Sequence, residues 1–86
     1  MTESRETRLK RLKIRSWRRG TREMDLILGP FADSELARLD ERELAAYEAL
    51  LEENDQDLYA WVSGAAAPAA EHEGLLRSIA AWHQIG

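Results

Sequence analysis

With 86 residues, 44% of them hydrophobic, the chain has material for one small core. It contains no cysteine, which excludes disulfide staples, thiol nucleophiles, iron–sulfur clusters and cysteine-type zinc sites together. The net charge of −4 hides an asymmetry: residues 1–22 carry nine Lys/Arg against two Glu, net +7, and residues 23–86 carry three Arg against fourteen Asp/Glu, net −11.

The first element is a helix over roughly 3–18, built from good helix formers. Leu9, Leu12, Ile14 and Trp17 make only a partial apolar stripe, so this helix is expected to pack loosely and expose much of its basic surface. Gly20 interrupts it, because glycine costs about 1 kcal/mol in a helix interior and readily takes the positive φ of a helix end. Thr21 is placed to cap a second helix, in which Met24, Ile27, Leu28 and Phe31 recur at i, i+3, i+4 and i+7 and share one face. Pro30 in "LGPF" disfavours helical geometry at Gly29, predicting a kink or break there and a short turn over Phe31 to Leu39.

Asp40 followed by Glu43 has the pattern of a capping box and opens a third helix with Leu44, Tyr47, Leu50 and Leu51 on its inner face. "ENDQD" ends it and offers Asn54, Asp55 or Asp57 as cap for a short fourth helix, with Leu58, Trp61 and Val62 pointing inward and Gly64 as its stop. Residues 65–70, rich in alanine around Pro68, are a linker. A last helix over roughly 71–83 is anchored by Leu75, Ile79 and Trp82. Residues 1–86 thus read as a single all-α domain.

Catalytic constellations are missing from this pattern. His72 and His83 lie eleven residues apart, Glu71 and Glu73 point away from His72 on a helix, and both imidazoles are expected at the surface rather than on a metal. No serine has a suitably spaced histidine, and neither phosphate-loop spacing occurs. The chain therefore reads as no enzyme. The carboxylates of "LLEENDQD" serve solubility and capping, with Asp57 singled out because it precedes the aromatics Tyr59 and Trp61. The basic first helix alone would suit phosphates, an argument for a nucleic-acid-linked regulator or antitoxin-like protein-binding module, but the acidic remainder repels nucleic acid, which is not expected as a partner. With no long apolar run and no secretory h-region, membrane insertion is not expected either, and the chain reads as a complete cytoplasmic protein.

On spacing alone, Arg19 and Glu23 would form an ordinary i, i+4 surface pair. The stretch Arg19-Gly20-Thr21-Arg22-Glu23, however, matches an RGxxE motif, and the match extends through "RLKIRSWRRGTREMDLILGPFA" and "LDERELAAYEALLEENDQDLYAWVSG". These blocks, covering roughly residues 8–64, resemble the succinate dehydrogenase assembly factor family, the flavinators. One departure is Gln56, where family members often carry proline. The resemblance implies a small five-helix bundle that binds the flavoprotein subunit of succinate dehydrogenase, and in some members that of fumarate reductase, and promotes covalent attachment of FAD. It implies no catalytic residue, no bound metal and no tightly bound cofactor, and a free monomer. By matching position it assigns partner binding to Arg19, Gly20 and Glu23, with Gly20 at the closest approach, and secondarily to Arg15, Ser16 and Asp25.

Overall fold

In the computed structural model, which describes residues 3–85, the chain forms α1 (Arg5–Trp17), α2 (Arg22–Glu35), a 3-10 turn (Leu36–Arg38), α3 (Glu41–Leu51), α4 (Asp55–Ser63) and α5 (Ala70–Ile85). The helix starts follow the capping residues. Thr21 accepts from the Met24 N–H at 3.3 Å, and Asn54 from Asp57 at 2.8 Å. Asp40 and Glu43 form the full reciprocal box at 2.8 and 3.1 Å. Each such cap contributes about 1 kcal/mol by satisfying an N–H that the helix leaves unpaired. Gly64 ends α4 at φ +83°.

The helices close on one apolar cluster that includes Leu12 from α1, Met24, Leu28 and Phe31 from α2, Leu44, Tyr47 and Leu50 from α3, Leu58 from α4, and Leu76 and Ile79 from α5. Trp61, Val62, Leu75 and Trp82 pack against its edge. Tyr47 stands at the centre, its ring stacked on Phe31 with centroids 6.0 Å apart. Its hydroxyl pairs at 2.7 Å with Ser16 Oγ, which donates its own proton to the Leu12 carbonyl at 2.8 Å. Burial pushes the Tyr47 hydroxyl up to about 12, so it stays a neutral donor.

Three expectations are corrected. Pro30 does not end α2, which runs on to Glu35. A proline in a helix interior costs about 3 kcal/mol, but the segment around it buries Gly29, Phe31 and Ala32. Gly29 has no room for a side chain, because a Cβ there would overlap the Trp17 indole. The apolar period of α2 is unbroken across the proline, and core packing overrides local propensity. The predicted turn shrinks to Leu36–Arg38.

Secondly, α1 is not a loosely held basic surface. Leu12 and Ser16 are fully buried, and its arginines clamp it to α3 and the chain leading into it. Arg5 reaches Glu41 at 2.9 Å and the Leu39 carbonyl at 2.5 Å. Arg8 bridges Glu41 and Glu48 at 2.8 and 3.1 Å, Arg11 bridges Glu3 and Glu48, and Arg15 meets Glu52 at 3.0 Å. The charge asymmetry is thus largely consumed inside the molecule, which removes the ground for a phosphate-binding helix. Thirdly, His72 is buried. It lies on the same stripe of α5 as Leu76 and Ile79, and its Nε2 pairs with the Glu53 carboxylate at 2.8 Å beside the Trp61 ring. His83 stays exposed, with Nε2 donating to the Ile27 carbonyl at 2.7 Å.

Candidate functional site

Between α1 and α2 the backbone turns over four residues, and the turn is built from the inside by Arg19. Its Nε meets Asp55 Oδ1 at 2.9 Å, while Nη1 and Nη2 donate to the carbonyls of Leu51 and Glu53, each at 2.6 Å. Those carbonyls lie at the C-terminal end of α3, where the helix dipole favours a cation, and Asp55 lies in the first turn of α4, where it favours an anion. One guanidinium therefore ties the α1–α2 turn to the α3–α4 turn, with its side chain only 10% exposed. The Arg19 N–H donates to Asp25 Oδ1 at 2.7 Å, fixing the start of α2 to the same residue. Arg15 adds a contact to the Leu51 carbonyl at 3.4 Å.

Gly20 then follows at φ +108°, a backbone state that favours glycine. An added Cβ would sit 3.5 Å from Asp55 Oδ2, ordinary contact distance. The conformation, rather than internal crowding, is what calls for glycine here. Beside it opens a groove of about 370 Å³ lined by Thr21, Glu23, Asp55, Gln56 and Tyr59. Glu23 is exposed and forms no ion pair with Arg19, while Tyr59, at 47% exposure, is one of four large apolar side chains left at the surface among the described residues.

The six residues expected to meet a partner thus divide in two. Gly20 and Glu23 are exposed on the outside of the turn. Arg19, Arg15 and Asp25 hold the turn from behind, and Ser16 is wholly internal, bonded to Tyr47. Thr21, Asp55, Gln56 and Tyr59 were not among the expected site residues. The available signal was an aromatic, Tyr59, off the buried stripe of α4. Asp57 is explained by capping, since its N–H and carboxylate both bond the Asn54 side chain.

Among the described residues, one group could be tested for a metal: Glu53, Glu71 and His72 place ligand atoms within 4.8 Å of one another. The direct Glu53–His72 hydrogen bond accounts for the buried imidazole without an ion.

Residues 10–83 match the family model described as flavinator of succinate dehydrogenase, Sdh5. The FAD assembly factor SdhE of Legionella pneumophila (strain Lens) is 46% identical over 54 residues, 63% of this chain and 68% of that protein. The mitochondrial succinate dehydrogenase assembly factor 2 of Mycosarcoma maydis is 43% identical over 60 residues, 70% of this chain but 25% of that longer protein. Its counterpart in Cryptococcus neoformans is 38% identical over 72 residues, 84% of this chain and 41% of that protein.

Proposed function

The chain belongs to the Sdh5 family, the flavinators of succinate dehydrogenase, and from that premise we propose that it binds the flavoprotein subunit of that enzyme and promotes covalent attachment of FAD. The related fumarate reductase flavoprotein is a second candidate client. The observation that carries this reading is the turn itself. Gly20 and Glu23 stand exposed beside a groove, on a backbone held rigid from behind by Arg19. A site held in this way loses little conformational entropy on docking, and binding gains accordingly.

The groove suits a protein surface better than a nucleotide. Glu23 and Asp55 line it, and carboxylates repel a pyrophosphate while favouring an N–H donor or a cationic side chain. Tyr59 adds a flat apolar wall with a hydroxyl at its edge. The chain in this reading holds no FAD of its own and supplies no catalytic residue. Bond formation belongs to the flavin and the client's acceptor side chain, and the chain contributes by holding the client in the geometry that aligns them. Among the described residues no helix is long and apolar enough to cross a membrane. The proposed state is a cytoplasmic monomer acting before the client joins its complex.

The test is deletion of the gene and complementation. Deletion should leave the flavoprotein subunit without covalent flavin, seen as lost fluorescence of its band in a denaturing gel, and the intact gene should restore it. Normal fluorescence in the deletion strain would rule the proposal out.

A further inference from the structure

Beyond the groove, the outer side of the α1–α2 hairpin presents three more large apolar side chains exposed among the described residues: Ile14 (55%), Trp17 (39%) and Leu26 (50%). They share one face. Ile14 and Trp17 are one turn apart on α1, and Leu26 lies one turn before Gly29 on α2, the residue against which the Trp17 ring packs. The indole is fixed there, since Nε1 donates to Asp33 Oδ2 at 3.1 Å. Lys13 and Arg22 lie one turn from Trp17 and Leu26 respectively. Unlike the clamped arginines of α1, neither forms an ion pair among the described residues.

We propose that this face is a second docking surface, which receives an acidic, apolar segment of the same flavoprotein subunit that occupies the groove. The inference rests on the proposed function. Three observations select the occupant. The face is apolar, and its rim carries the cations Lys13 and Arg22 against the carboxylate of Asp33, which the Trp17 indole already engages, so its complement is an anionic surface with apolar side chains. It starts next to the groove along the chain, Arg22 lying between the groove residues Thr21 and Glu23. Trp17 lies flat and hydrogen-bonded, offering a rigid platform of the kind that anchors protein interfaces rather than a protruding wedge for lipid.

The test measures binding of the purified, FAD-loaded flavoprotein subunit to the full chain, to Ile14→Ser with Leu26→Ser, to Arg22→Glu and to Gly20→Arg. These face side chains are exposed, so circular dichroism should be unchanged. The double variant should bind at least tenfold more weakly, and Arg22→Glu should lower the association rate and its salt dependence. If all face variants bind within twofold of wild type while Gly20→Arg does not bind, the second surface is overturned and the groove stands. If the face variants lose affinity and Gly20→Arg does not, the face is upheld and the groove falls. Binding to phosphatidylglycerol vesicles, or self-association in sedimentation, that depends on Ile14 and Leu26 while flavoprotein binding does not, would also overturn it.

Discussion

Arg19 supports the proposed docking site without lying on it. It is the first residue of the motif, yet it faces inward onto two carbonyls and Asp55. Arg19→Ala would leave Asp55 and the end of α3 without their cation, and is expected to destabilise the fold by about 3 kcal/mol in urea unfolding. Arg19→Lys should recover only part of this, because an ammonium cannot reproduce the three-way fork. Gly20 fails differently. Gly20→Ala should cost only about 1–2 kcal/mol through its positive φ, read as a lower melting temperature, and keep client binding. Gly20→Arg should abolish co-purification with the flavoprotein while helical circular dichroism persists. The motif was legible as a string, but the inward turn of Arg19 was not, because its partners lie 32 to 36 residues away.

At the scale of elements, the caps were readable because they are local: Thr21, Asp40 and Asn54 each bond an N–H three residues on. Pro30 misled for the opposite reason. What keeps α2 continuous is the packing of distant residues, including Trp17 pressed onto Gly29. That contact makes a prediction. Gly29→Ala should destabilise by about 1–3 kcal/mol through overpacking, and the loss should shrink in a Trp17→Ala background. Additive losses in that double-mutant cycle would show that the two residues are not coupled. His72 is buried because it shares the i, i+4, i+7 stripe of Leu76 and Ile79, a pattern that metal-ligand spacing does not test and that differs from the Leu75–Ile79–Trp82 anchor set.

For the whole molecule, the separation of basic and acidic segments was visible at once, but not that most of it closes on itself. The α1–α3 clamp makes stability depend on acid in a definite direction. Hydrogen bonds from Arg11 and then Arg8 hold the Glu48 carboxyl below the ordinary carboxylate range. Its contribution is therefore complete above the ordinary carboxylate range and is lost as pH falls through the lowered folded-state pKa. Melting temperature should fall on acidification below about pH 4.5, and less steeply in Glu48→Gln, which has no proton to take up. With the clamp holding α1 and Arg19 holding the turn, the side chains beside Gly20 stay exposed, as the proposed client binding requires. The most direct measurement is a titration of the FAD-loaded succinate dehydrogenase flavoprotein subunit with Glu23→Lys, a change at an exposed residue that leaves the fold's internal bonds in place. Affinity should drop at least tenfold with the melting curve nearly unchanged; binding equal to wild type would contradict the assignment of this groove as the docking site.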